Sequence, residues 1–144
     1  MKASILAGLP LALALLASPV DARQAYDGSK PLLCSFRTIM QCDELFDCGR
    51  VTPGQINLPD FFEVDFGANQ LLGVGGNRDG AATPIERVKK YDDRILLQGG
   101  DLDAESEQGA MGWSLMIDHQ DGQLLLSAIS FDFALVAYGS CIEK

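Results

Sequence analysis

Residues 112–141 read GWSLMIDHQDGQLLLSAISFDFALVAYGSC. Two β-rich runs, Trp113–Ile117 and Gln123–Ser130, flank His119-Gln120-Asp121-Gly122. A short link carrying Asp-Gly between two such runs signals a β-hairpin. A further apolar run, Phe131–Cys141, follows and predicts a last strand.

The chain upstream reads in the same way. Leu33–Cys42 alternates, with Cys34, Phe36, Thr38 and Met40 on one side and Ser35 and Arg37 on the other. That is the period of a half-buried strand. Residues 43–60 hold Pro53, Gly54 and Pro59 without a clear period, which predicts an irregular loop. Phe61–Phe66 alternates again, with Phe62, Val64 and Phe66 inward and Glu63 and Asp65 outward. Gly67-Ala68-Asn69-Gln70 turns the chain into Leu71–Val74, and a glycine-rich loop spans Gly75–Ala82. Ile85–Tyr91 is a weak strand, Arg94–Gln98 a stronger one, and 99–110 is polar and acidic. No stretch holds a helical period over three turns. About eight short strands with regular turns predict an all-β fold, a small antiparallel meander closed into a barrel or a sandwich. Closure also hides edge strands from other chains.

The first residues, MKASILAGLPLALALLASPVDARQ, place Lys2 before an apolar run from Ile5 to Ala17. Pro19 ends any helix, and Val20-Asp21-Ala22 offers small residues for cleavage. That order is a secretory signal peptide over residues 1–22, leaving a single β domain over 23–144. The run is shorter than the ~20 apolar residues a membrane span needs. The expected location is therefore periplasmic or secreted, with no membrane insertion after cleavage.

Loss of residues 1–22 removes one base, Lys2, and one acid, Asp21, so the net charge stays at −9. Nucleic-acid partners are disfavoured, because phosphates would be repelled. A cationic protein is favoured by the same charge. Cys34, Cys42, Cys48 and Cys141 make an even set, and an exported chain uses such a set for disulfides. Three pairings exist; Cys42–Cys48 across the short acidic loop, with Cys34–Cys141 joining the first strand to the last, is the favoured one. No C-x-x-C is present for a zinc site, and His119 stands apart from the cysteines.

Catalytic patterns are poor. His119 is the only histidine, expected at an exposed hairpin tip, and no serine lies in G-x-S-x-G. The loop from Gly75 to Glu86 puts Asn77, Asp79, Gly80 and Glu86 at EF-hand positions, but Gly75 stands where the first ligand should be. The reading is of a protein that is not an enzyme and uses no metal or cofactor. Its possible ligand or partner surface comprises Asp101, Asp103, Glu105 and Glu107, spaced by twos, with Trp113 and Tyr138. The acids would face a cationic partner. The aromatics, if they lined a barrel mouth, would face a small apolar ligand.

The segment GWSLMIDHQDGQLLLS with ALVAYGSC resembles small exported bacterial proteins of no assigned activity that end in a Gly-x-Cys strand. The outline of cysteine-first, cysteine-last and all-β is also similar to periplasmic lysozyme inhibitors. That family's Ser-Gly loop with a following tyrosine is absent, since Tyr138 precedes Gly139-Ser140, and no inhibitory residue is carried over. The leading reading is an exported, non-enzymatic binding or interaction module for a protein, using its acidic loops or barrel rim. The alternatives are a carrier of a small apolar ligand, a lysozyme-inhibitor-like protein, or a hydrolase working through paired carboxylates.

Overall fold

The computed structural model describes residues 26–43, 47–101 and 110–144, so the segment 1–22, expected to be a signal peptide, lies outside them. The fold is all-β, as the alternation predicts. Ten strands form one antiparallel sheet: β1 (Leu32–Asp43), β2 (Cys48–Val51), β3 (Pro59–Asp65), β4 (Gln70–Gly76), β5 (Ala82–Pro84), β6 (Arg87–Lys90), β7 (Arg94–Asp101), β8 (Met111–Asp118), β9 (Gln123–Ile129) and β10 (Phe133–Glu143).

The sheet runs β5-β4-β3-β1-β10-β9-β8-β7-β6, with β2 paired to the far half of β1. Its two terminal strands are consecutive in the chain. The Ile85 N–H donates to Asn69 O at 2.8 Å on the β4 side, and the Glu86 N–H donates to Gln98 O at 2.9 Å on β7. One bent segment thus serves both ends of the path and curls the sheet into a barrel. With β5 and β6 taken as one strand, the circuit has eight members and every connection joins spatial neighbours. The weak strand expected over Ile85–Tyr91 is this segment. It is interrupted because Ile85 turns inward and is buried.

The core follows the period of two. On β8, Trp113, Leu115 and Ile117 point inward; on β9, Leu124, Leu126 and Ala128; on β10, Leu135, Ala137 and Cys141. β1 departs from the simple alternation. Its register against β10 shifts between Phe36 and Thr38, so Arg37 is an extra residue and the faces exchange. Ile39 is therefore buried, and Thr38 and Met40, expected beside Cys34, lie on the other side. The bulge sits where a Cβ on Gly139 would come within 2.0 Å of Ser35 O, and Arg37 donates to Gly139 O. Only glycine allows β1 and β10 to approach so closely there.

Both disulfides have the expected pairing. Cys34–Cys141 links directly opposed residues of β1 and β10, and Cys42–Cys48 closes the β1–β2 turn. Two such bonds suit an oxidising, extracytoplasmic setting. The span 43–60 is more ordered than its composition predicts: it contains β2 and a 3₁₀ turn, Pro53–Ile56, started by a Thr52–Gln55 capping box. The β8–β9 hairpin forms as read. The last strand begins at Phe133, leaving Phe131 almost fully exposed. Among the described residues no helix is long and apolar enough to cross a membrane.

Candidate functional site

The up-and-down strand order sorts the connections to two ends of the barrel, and the two ends differ. At one end the lead segment packs across the opening. The Tyr26 ring lies over Gly122, where a Cβ would meet it at 2.7 Å, and Gly28 sits against Phe66 and Ile95. The Lys144 N–H donates to Pro31 O, and Lys30 pairs with Glu143 at 2.7 Å, which fixes the segment to the end of β10. His119 belongs to this plug. It is 8% exposed, its backbone N–H donates to Asp93 O at 2.9 Å, and its Nε2 has no hydrogen-bond partner. The exposed hairpin tip expected from the sequence is wrong for this residue: Gln120 and Asp121 are exposed at the tip, and the histidine is buried.

The other end holds a cavity of about 100 Å³. Its floor is Leu71, Leu115 and Leu126; its walls include Phe36, Phe62, Trp113, Ala128 and Leu135; Leu58 and Met111 stand at the rim. Phe36 and Phe62 stack at 5.0 Å between ring centroids and stiffen one wall. A second cavity of about 200 Å³ adjoins it, sharing Leu58, Met111 and Leu135 and continuing to Gln41 and Phe133. Few polar side chains reach the inner cavity, namely Asn57, Arg78 and Thr83.

Trp113 lines the same cavity. It is 6% exposed, and its indole Nε1 is buried without a hydrogen-bond partner. The position follows from β7 and β8: Trp113 stands opposite Gly99 in the ladder, and the absent side chain leaves room for the indole. An unpaired buried N–H costs about 1–3 kcal/mol. The donor is enclosed by packing, on the edge of the ring that is turned to Gly99.

The sequence-based surface is thus dispersed. Trp113 lines the cavity, whereas Tyr138 points outward from β10 and is 56% exposed. Asp101 ends β7 opposite Met111, at the cavity end of the barrel. Asp103, Glu105 and Glu107 lie outside the described residues. Nothing in the sequence around Phe36, Phe62, Leu71 and Leu135 marks them as site residues. Neither period nor spacing separates a packed interior from a hollow one. The EF-hand pattern does not assemble: Asp79 accepts the Gly75 N–H at 2.7 Å and so serves the loop itself. No cluster of three or more His, Cys, Asp or Glu placed for a metal occurs among the described residues.

Comparison with known protein families, with curated proteins and with solved structures finds no match to this chain.

Proposed function

We propose that this chain is an exported, non-enzymatic binding protein that takes a small, neutral, largely apolar ligand into the open end of its barrel. The observation that carries the reading is the largely apolar cavity at the open end of the barrel, lined by Trp113, whose buried indole N–H has no hydrogen-bond partner. Burial of hydrocarbon supplies the affinity. On this reading a small turn of the ring brings the buried indole N–H to an acceptor oxygen on the ligand, which fixes its orientation. The size of the chamber favours a six-membered ring or a short chain over a whole lipid. The export signal over residues 1–22 puts the protein in the periplasm or outside the cell, where both disulfides persist.

The test is a comparison of matched ligands. Cyclohexanone is expected to bind more tightly than cyclohexane, and Trp113→Phe to remove most of that difference, about tenfold for one neutral hydrogen bond. Equal affinities for the two in the native protein would refute the role given to the indole.

A second reading rests on the rim. Asp43, Asp47, Asp60, Asp79 and Asp132 are all exposed at the cavity end. They suit a cationic protein docked over the mouth, the kind of partner a lysozyme-inhibitor-like module would have. Such binding would weaken steeply with added salt, whereas uptake of a neutral ligand would not.

A further inference from the structure

The inward row of β1 ends on a polar residue. The bulge at Arg37 exchanges the faces of this strand, so the inward positions beyond it are Ile39 and Gln41, not Thr38 and Met40. Ile39 is buried in the core, and Gln41 is half-buried. Gln41 stands opposite the buried Leu135 of β10 on one side and Gly49 of β2 on the other. Cross-strand partners share a face of the sheet. The glutamine side chain therefore lies beside Leu135 and beside the room that Gly49 leaves, where a Cβ would meet nothing within 4 Å. Among the described residues its carboxamide has no hydrogen-bond partner.

Gln41 lines the outer cavity of about 200 Å³, whose remaining wall is divided. Ile56, Leu58, Met111 and Phe133 are apolar, whereas Gln55 and Asp132 are polar and exposed. Gln55 Oε1 already accepts the Thr52 N–H at 2.8 Å and the Thr52 hydroxyl at 3.0 Å, which leaves its NH₂ group to donate. Leu58, Met111 and Leu135 line both this cavity and the inner one. Met111 is half-buried, and an unbranched thioether turns readily. A ligand with its ring in the inner chamber thus has a route past Met111 towards Gln41.

We infer that the outer cavity is a second subsite, which takes a neutral hydrogen-bonding head group, a carboxamide or a hydroxyl, on a short arm of the ligand held in the inner chamber. Gln41 is the residue that recognises it. The inference rests on the reading of the inner chamber given above. The inventory of donors and acceptors selects the class. Gln41 offers both a donor and an acceptor, Gln55 a donor and Asp132 an acceptor. A head group that both gives and takes hydrogen bonds can match all three. A carboxylate only accepts, and it would face Asp132 in a chain of net charge −9. An ammonium only donates, so the amide N–H groups of both glutamines would go unmatched. Its attraction to the exposed Asp132 is weakened by solvent and salt.

Isothermal titration calorimetry with matched ligands tests this. Cyclohexanone occupies the inner chamber alone. 3-(4-Oxocyclohexyl)propanamide adds the head group, 4-(3-methylbutyl)cyclohexanone has the same shape with an apolar end, and 3-(4-oxocyclohexyl)propanoate has a charged one. In the native protein the carboxamide is expected to bind more tightly than cyclohexanone and than the carboxylate. Gln41→Leu should weaken the carboxamide about tenfold, the size of one neutral hydrogen bond. The same variant should leave cyclohexanone unchanged, and the methylbutyl analogue unchanged or tighter. An equal loss for the carboxamide and the methylbutyl analogue, or no loss for either, would overturn the inference and leave the inner-chamber reading standing. A carboxylate that outbinds the carboxamide would overturn the class of head group. Failure of cyclohexanone to bind the native protein would remove the inner-chamber reading and this one with it.

Discussion

Trp113 faces Gly99 across the β7–β8 ladder, and a Cβ placed on Gly99 would sit 2.5 Å from the indole Cζ2 and 2.6 Å from Pro84 O. The glycine therefore lets the indole lie flat in the cavity wall while the bent β5–β6 segment passes close behind. Gly99→Val should force the ring off this seat. Overpacking of this kind costs about 1–3 kcal/mol. The expected outcome is a lower melting temperature, red-shifted tryptophan emission and lost ligand uptake; unchanged emission would mean that the contact does not position the ring.

The two disulfides should contribute unequally. Cys34–Cys141 closes a separation of 107 residues and Cys42–Cys48 one of 6. Loop entropy assigns about 4–5 kcal/mol to the first and about 2 kcal/mol to the second. Cys34→Ala with Cys141→Ala should lower the unfolding free energy markedly more than Cys42→Ser with Cys48→Ser. Denaturant titrations that rank them in the reverse order would show that the β1–β10 ladder already holds the first and last strands together unaided.

Acid should loosen the plugged end first. Asp27 has its pKa lowered, chiefly by hydrogen bonds from Ser29, whose backbone N–H reaches Oδ1 at 2.8 Å. Asp93 is held low by Arg94 beside it. A carboxyl depressed in the folded state adds stability above its unfolded pKa, and that contribution fades as pH falls through the folded value. Asp93 is exposed and Asp27 partly so, so solvent screens the effect and it is small. Lys30 is shifted upward by Glu143, so its contribution is present below its ordinary pKa and disappears only in strong alkali. Asp27→Asn should flatten the fall in melting temperature below the usual carboxylate range; an unaltered slope would place the acid sensitivity elsewhere.

His119 offers a contrasting substitution. A buried nitrogen without a partner is a net cost. His119→Phe, similar in size and without that nitrogen, should leave the melting temperature unchanged or raise it. A fall of several degrees would show that the imidazole makes a bond important to the plug.

Much of the fold was legible because each of its causes is local. Alternation placed Phe62 and Val64 inward, Asp121-Gly122 placed the hairpin, and an even cysteine count pointed to the bridges. The face exchange within β1 was hidden, since the bulge at Arg37 answers to Gly139, far along the chain. The packing of Tyr26 on Gly122, at the β8–β9 hairpin, was hidden for a related reason: it comes from a segment, Tyr26–Pro31, that read as a polar lead. The cavity was the least legible feature. Whether Ala128 and Leu135 meet a neighbour or a void depends on the diameter to which the whole sheet curls.

The central claim concerns the cavity and its indole, and the chain has one tryptophan, so one indole N–H resonance reports on it. Titration of ¹⁵N-labelled protein with cyclohexanone should move that resonance downfield and saturably, together with the amides of Gly73 and Leu135. Ala128→Leu, which fills the chamber, should abolish all three shifts while leaving the rest of the spectrum folded. An indole resonance that stays in place while the ligand binds elsewhere, or not at all, would contradict the account.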